Sequence, residues 1–266
     1  MANSQNVLFR LRQLVTLDEE GAENALPLCE MCLEDMLCKL RKNADPNDPR
    51  IAQAAAALEQ AGKAGYYAAE FDIAPTSDGV WILMHDATVD RMTDGVGEVS
   101  SFTYDEISEL KIDSGNGIEN YPDEKIISLE DAIAICRKYS MRPMIEVKGG
   151  APEDMRGLLN TIRMMGINDA LIIDFNSDRI KELRRLDPEI ELWFLVTKCE
   201  GEDFEFAKEN DMGIAFHYMN PANYGIIKSA KQEGITLASW TVDYIPFMDI
   251  LTSLGVNYIT TNRILP

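Results

Sequence analysis

The stretch that decides the fold runs from Glu70 to Asp86 and reads EFDIAPTSDGVWILMHD. Its beginning belongs to the apolar run 67–73, which predicts a buried strand. Successive side chains of a strand alternate between its two faces, so Glu70 and Asp72 point to the same face. Two carboxylates side by side on an apolar strand repel each other unless a cation lies between them. The stretch therefore predicts a metal site as well as a strand.

A second apolar run, 80–84, leads into His85. Only residues 74–79 separate the two runs, whereas a crossover between parallel strands needs about a dozen residues or more. The two runs are therefore predicted to form an antiparallel hairpin that turns at Asp78-Gly79. The hairpin would bring His85 over the carboxylate pair, which adds an acid/base group to the predicted metal site.

Strand-like runs alternate with helical segments from residue 67 onward. The strand-like runs are 67–73, 143–148, 170–175, 190–196, 213–217, 235–241 and 257–261, and the helical segments are about 128–139, 152–165, 177–186, 203–210, 221–233 and 244–254. Repeated βα units with apolar strands predict a parallel sheet covered by helices. The expected fold is an α/β, TIM-type (β/α) barrel. Such a barrel has eight strands, and the sequence supplies seven runs, so a barrel that is incomplete at its first strand is one expectation.

Two parts of the chain do not follow the βα alternation. Residues 1–48 are predicted to form a helical N-terminal segment, and residues 49–266 the barrel domain, which opens with a helix over 50–63. The run 7–17 could instead supply the missing strand, but its spacing fits a helix better. Residues 87–125 are rich in Gly, Asp and Ser and predict a long surface loop, which contains a short helix after the capping-box signature Thr103-Tyr-Asp-Glu106.

The composition of the chain argues against some classes of binding partner. The formal net charge of −20 and a pI near 4.4 argue against binding to nucleic acid or to an anionic membrane surface. The sequence has neither a secretory signal nor an apolar run near the roughly 18 residues of a membrane span, so a cytoplasmic location is expected.

The five cysteines are an odd number, which argues against a disulfide framework. Cys29-x-x-Cys32 could indicate zinc, but small reduced core residues fit better because no second cysteine pair follows.

A third carboxylate lies in the segment Met144-Ile-Glu-Val-Lys148. Glu146 and Lys148 share a face near the C-terminal end of a strand, where parallel barrels carry their active sites. Glu146 together with Glu70 and Asp72 would form an oxygen site suited to Mg²⁺ or Ca²⁺. Lys148 would then contact a substrate anion such as a phosphate. A buried salt bridge, in which Lys148 only neutralises Glu146, is the structural alternative.

An ordered set of motifs resembles the glycerophosphodiester phosphodiesterase family over about residues 50–266. The motifs are Glu70-x-Asp72, Thr76-x-Asp-Gly79, His85-Asp86, Arg91-Met-Thr93, Ile145-Glu146-Val-Lys148, Trp240-Thr-Val-Asp243 and the ending Gly255-Val-Asn-Tyr-Ile-Thr-Thr-Asn262, with Asn262 where the family usually has Asp. The resemblance implies a TIM-barrel hydrolase that uses a divalent cation, Mg²⁺ or Ca²⁺. It would act on small glycerophosphodiesters and release glycerol 3-phosphate and an alcohol.

The resemblance also implies roles for single residues. The metal ligands would be Glu70, Asp72 and Glu146. The catalytic residues would be His85, as a general acid/base, and Lys148, which would also bind the substrate phosphate. Trp240 would line the glycerol pocket, and the alternative for this residue is a tryptophan packed in the core. The chain departs from the family pattern at its start, because the His-Arg-Gly segment is missing and no histidine precedes His85. Weak or no turnover is therefore expected. His217 could substitute, although a core or rim histidine fits that position better.

Two other functions compete with the hydrolase. The first is a catalytically inactive binding or structural protein of the same fold. The second is a barrel aldolase with Lys148 as a Schiff base, which is disfavoured because Glu146 would hold that lysine charged. Self-association into a homo-oligomer is also expected to be open to this chain, through the N-terminal helices or an unpaired edge of the incomplete barrel.

Overall fold

The computed structural model describes residues 55–115, 118, 123–262 and 264. The predicted helices of segment 1–48, and with them Cys29 and Cys32, lie outside the described residues. The described chain forms two compact units. The first comprises residues up to 195 together with 209–212, and the second comprises 196–208 and 213–264.

The first unit contains a sheet with helices after its strands. Its elements are α1 (Ala55–Ala64), β1 (Ala68–Pro75), β2 (Trp81–Leu83), α2 (Tyr104–Glu109), α3 (Leu129–Lys138), β3 (Arg142–Val147), α4 (Met155–Met164), β4 (Leu171–Asp174), α5 (Ser177–Leu186) and most of β5 (Glu191–Val196). The strand order is β2-β1-β3-β4-β5. β2 pairs with β1 in antiparallel fashion, and the other pairs are parallel. The predicted hairpin is therefore confirmed, with its turn at Gly79, whose φ of 81° favours glycine.

The second unit continues the same alternation. It contains α6 (Gly201–Glu209), β6 (Gly213–His217), α7 (Tyr224–Glu233), β7 (Leu237–Trp240), α8 (Ile245–Leu254) and β8 (Tyr258–Ile259). The strands follow the order β6-β7-β8, and both pairs are parallel. All seven strand-like runs of the sequence are thus strands in the structure. The residues before α1 lie outside the described residues, so the expectation that the barrel is incomplete at its first strand stays a prediction.

The helices begin and end where local sequence signals place them. Thr103 forms a capping box with Glu106 at the start of α2, as its sequence predicts. Ser128 does the same for α3, and the Asn176 side chain accepts two backbone hydrogen bonds at the start of α5. α8 ends at Gly255, whose φ of 97° is the left-handed conformation that closes a helix. No helix within the described ranges is both long enough and apolar enough to cross a bilayer.

The segment between β2 and α3 differs from the expected surface loop. Its described residues fold around a small apolar core made of Ala74, Ile82, Met84, Val89, Val99, Ile107, Ile112 and Ile126. Isolated bridges, such as Thr93 with Ile112, tie the segment together. The apolar residues are spaced without a strand or helix period, which is why the sequence pattern did not reveal them. We call the described residues of this part of the chain, 87–115, 118 and 123–126, the packed insert.

Candidate active site

Three carboxylates meet on neighbouring strands of the first unit. In the β1–β3 register Asp72 is opposite Glu146, and Glu70 precedes Asp72 by one strand period. All three side chains therefore lie on one face of the sheet. One oxygen atom of each of Glu70, Asp72 and Glu146 can be chosen so that the three atoms lie within 4.8 Å of one another. The structure thus brings together the three predicted metal ligands.

The surroundings of these carboxylates make their shared negative charge unfavourable. Burial raises the pKa of Glu70 well above its usual range, and the charges of Asp72 and Glu146 raise it further. Burial, followed by the charge of Asp72, raises the pKa of Glu146 to about 7. Within the described part of the chain, Glu70 Oε1 is buried and accepts no hydrogen bond. A hard divalent cation would relieve the repulsion and give this oxygen atom a partner.

Lys148 is the cation that the structure places at the cluster. It directly follows β3, and its Nζ lies 3.3 Å from Asp72 Oδ1 and forms an ion pair with Glu146. Burial lowers the pKa of Lys148, but Asp72 and Glu146 raise it more, so the pKa lies above its usual value. The salt bridge of the structural alternative therefore exists. Among the described residues, the Lys148 ammonium forms the ion pairs with this cluster, and one ammonium cannot neutralise three carboxylates. Counted over these residues, a fully ionised cluster keeps an excess of two negative charges, which matches a divalent cation.

His85 follows β2, with its imidazole half-exposed. Its Nδ1 lies 2.7 Å from Asp86 Oδ1, and Arg91 Nε donates to the other oxygen of Asp86 at 2.5 Å. The Arg91 hydrogen bond, with a smaller contribution from His85, lowers the pKa of Asp86 to about 2. Asp86 is therefore ionised and holds the Nδ1–H tautomer, which leaves the lone pair of a neutral imidazole on Nε2. His85 also makes a minor contribution to lowering the pKa of Glu146, so the imidazole lies near enough to influence the cluster.

Two residues that the sequence analysis did not single out hold the loop after β3. Asp174, fully buried at the end of β4, accepts hydrogen bonds from Nε and Nη2 of Arg179 at 2.8 Å each. The same guanidinium donates to the carbonyl oxygens of Val147 and Gly150, on either side of Lys148. Asp174 and Arg179 therefore fix the backbone that carries the lysine. Phe175, the next residue after β4, places its ring centroid 5.8 Å from Lys148 Nζ.

The remaining predicted positions, Trp240 and His217, belong to the second unit. Trp240 ends β7, is half-buried, and donates from Nε1 to the carbonyl oxygen of Ala215 at 3.1 Å. Its ring meets that of His217 edge to face, with centroids 4.9 Å apart. His217 Nδ1 accepts from the backbone N–H of Met219 at 3.3 Å, and burial lowers the pKa of His217. Both residues thus have structural contacts, and their functional roles stay predictions.

Comparisons with known proteins identify the family of this chain. Residues 53–265 match the glycerophosphoryl diester phosphodiesterase family. The chain is 35% identical over 242 residues to glycerophosphodiester phosphodiesterase 1 of Homo sapiens, which covers 79% of this chain and 73% of that protein. It is 28% identical over 215 residues to a glycerophosphodiester phosphodiesterase of Caldanaerobacter subterraneus, covering 78% of this chain and 86% of the relative.

Solved structures show the same fold. A phosphodiesterase of Oleispira antarctica in complex with its product sn-glycerol-3-phosphate superposes with a TM-score of 0.74 at 22% identity, over 82% of this chain and 89% of that one. A glycerophosphodiester phosphodiesterase of Parabacteroides distasonis gives a TM-score of 0.65 at 28% identity, over 77% of this chain and 83% of that one.

Proposed function

This chain belongs to the glycerophosphoryl diester phosphodiesterase family, and on that basis we propose that it hydrolyses glycerophosphodiesters to glycerol 3-phosphate and an alcohol with a divalent cation, Mg²⁺ or Ca²⁺. The family has the TIM-type (β/α) barrel fold, which confirms the fold class predicted from the sequence. The observation that carries the proposal is the cluster of Glu70, Asp72 and Glu146 with Lys148 beside it.

Oxygen donors and excess negative charge suit the cluster to a hard cation. Glu70, Asp72 and Glu146 would hold the ion, and Glu70 Oε1, which accepts no hydrogen bond within the described part of the chain, fits a ligand atom. A bound cation there supplies positive charge against the phosphoryl oxygens. Lys148 adds a second positive charge, held in place through the Asp174–Arg179 pair.

Phosphodiester hydrolysis also needs proton transfers. His85, oriented by Asp86, would accept or donate one proton through Nε2. The sequence contains two histidines, His85 and His217, and the family's His-Arg-Gly segment is missing from it. Loss of one positioned acid or base typically lowers a rate by about 10²–10⁴. The proposal is therefore a hydrolase with a low turnover number.

The proposal is tested by metal-dependent release of glycerol 3-phosphate from glycerophosphodiesters. Wild type should release product with Mg²⁺ or Ca²⁺ and lose the activity in EDTA. His85→Ala should lower the rate by about 10²-fold or more, and His217→Ala serves as the matched control. Equal rates for wild type and His85→Ala would remove His85 from the mechanism, and a rate that EDTA does not change would remove the cation.

A catalytically inactive binding protein is the second candidate, favoured by the missing His-Arg-Gly segment. It would bind the cation, or a glycerophosphodiester, without releasing product. Calorimetric titration with each ligand, alongside the product assay, separates the two functions.

We further propose a cytoplasmic location, no nucleic-acid partner because of the net charge of −20, and self-association through the N-terminal segment or an open sheet edge. Fractionation and light scattering test the location and the self-association.

A further inference from the structure

Lys148 and Phe175 lie side by side, just beyond the ends of the neighbouring strands β3 and β4. In the β3–β4 register Glu146 is opposite Ile173, and two residues further along each strand direction come Lys148 and Phe175. The distance of 5.8 Å between Lys148 Nζ and the Phe175 ring centroid shows that the two side chains are neighbours. Phe175 is 43% exposed, so one face of its ring stays accessible to the ammonium.

One hydrogen-bond network holds the backbones of both residues. Asp174 Oδ1 accepts from the backbone N–H of Asn176 at 2.7 Å, so a closed turn spans Phe175. The Asn176 side chain in turn caps α5. The Arg179 guanidinium binds the Asp174 carboxylate and also donates to the backbone carbonyl oxygens on either side of Lys148. The ring and the lysine backbone are therefore fixed by the same guanidinium, and the remaining freedom lies in the lysine side chain.

The Lys148 ammonium lies between two attractive groups. Its Nζ forms ion pairs with Asp72, at 3.3 Å, and with Glu146. The ring centroid of Phe175, at 5.8 Å, is near the limit of about 6 Å for a cation–π contact, so this contact is weak while the ion pairs exist. A divalent cation held by the same carboxylates would repel the ammonium. The flexible stem of a lysine lets Nζ move, and the ring offers it a second favourable position.

We propose that Phe175 is a positioning residue: its ring takes up the Lys148 ammonium when a divalent cation occupies the carboxylates, and holds it for the phosphoryl oxygens of the substrate. The inference rests on the proposed function and adds a residue to it. The exchange breaks no covalent bond, because the cation replaces the ammonium at Asp72 and Glu146. The ring stabilises the displaced ammonium more than the ion-paired one. Phe175 therefore strengthens the binding of the cation as well as the placement of the lysine.

Calorimetric titration with Mg²⁺ and with Ca²⁺ measures this contribution without a substrate. Phe175→Leu should weaken cation binding about fivefold, the effect of losing one partly exposed cation–π contact. In a Lys148→Met background, which has no ammonium to displace, the same exchange should leave the affinity unchanged. Tyr67→Leu, which replaces an exposed aromatic residue at the opposite end of β1, is the matched control and should bind the cation as wild type does. Equal affinity in wild type and folded Phe175→Leu overturns the proposal, and so does an equal loss with and without Lys148.

Turnover of glycerophosphodiesters gives a second measurement. At a saturating cation concentration Phe175→Leu should lower kcat/KM about fivefold, whereas Phe175→Tyr, which keeps an aromatic face, should stay near the wild-type value. A wild-type kcat/KM in Phe175→Leu contradicts the proposed placement of the lysine. If wild type binds the cation but releases no glycerol 3-phosphate, the proposed function fails, and the calorimetric comparison still decides the role of Phe175. If wild type binds neither Mg²⁺ nor Ca²⁺, both the proposed function and this inference are overturned.

Discussion

Replacing Glu70 by glutamine should stabilise the metal-free protein and reduce the further stabilisation that a bound cation provides. Glutamine has the same shape, and Glu70 Oε1 has no hydrogen bond to lose within the described chain. Two unit charges within 4.8 Å repel by about 3 kcal/mol at an effective dielectric constant near 20. Wild type relieves part of this repulsion by holding a proton on Glu70, because burial and the neighbouring carboxylates raise its pKa.

The pH sets the size of the metal-free effect. A raised carboxylate pKa means that the folded state keeps a proton that the unfolded chain loses, so wild-type stability falls as pH rises above the usual glutamate range. Metal-free Glu70→Gln should therefore equal wild type at pH 4 and exceed it at pH 7 by up to about 3 kcal/mol. Thermal unfolding in EDTA measures this difference, with Glu205→Gln on the exposed side of α6 as the matched control.

A bound cation should stabilise wild type more than it stabilises Glu70→Gln. At a concentration 100 times the dissociation constant, a bound ion stabilises wild type by about 2.7 kcal/mol, roughly 5–10 °C for a chain of this size. If the neutral amide weakens binding about tenfold, the same concentration stabilises Glu70→Gln by only about 1.4 kcal/mol. An equal metal-induced shift in the two proteins, or a metal-free variant less stable than wild type at pH 7, would refute the reasoning.

Three further predictions concern Lys148, Arg179 and the two buried cysteines, Cys136 and Cys199. Lys148→Met should lower kcat/KM by about 10²-fold or more, because it removes a positive charge that would stabilise the phosphoryl oxygens. The same substitution should tighten cation binding in calorimetry, because the ammonium no longer competes with the cation for the carboxylates. A variant that loses both kcat/KM and affinity for the cation would contradict this role. Arg179→Met should cost about 3–5 kcal/mol in urea denaturation, since it leaves the buried carboxylate of Asp174 without its ion pair, and a cost under about 1 kcal/mol would count against it. Iodoacetamide at pH 8 should leave Cys136 and Cys199 unmodified in the folded protein, because burial raises the pKa of both thiols to about 12; peptide mass spectrometry that finds modification as fast as in urea would contradict this.

Local periodicity explains why so much of the fold could be predicted. The alternation of Glu70 and Asp72 and the apolar runs before Glu146 require only the strand period of two. The short separation between the runs 67–73 and 80–84 required a hairpin, and the structure has one. Each of these signals lies within about ten residues of chain, so a single sequence contains it in full.

What depends on pairing between distant residues could not be predicted in the same way. The register that sets Asp72 opposite Glu146 joins positions far apart in the chain. Asp174 and Glu146 both lie at or near the end of an apolar strand. The sequence cannot show that Arg179 binds Asp174 while Lys148 binds Glu146.

The packed insert has a consequence for natural variation in this protein. Its small core includes Ala74 on β1, two residues after Asp72, and Met84, the residue before His85. Substitutions at insert positions such as Val89 or Ile107 would therefore displace the strand ends that carry a metal ligand and the imidazole. Selection would act on these buried residues as strictly as on the chemical groups themselves, although none of them touches a substrate.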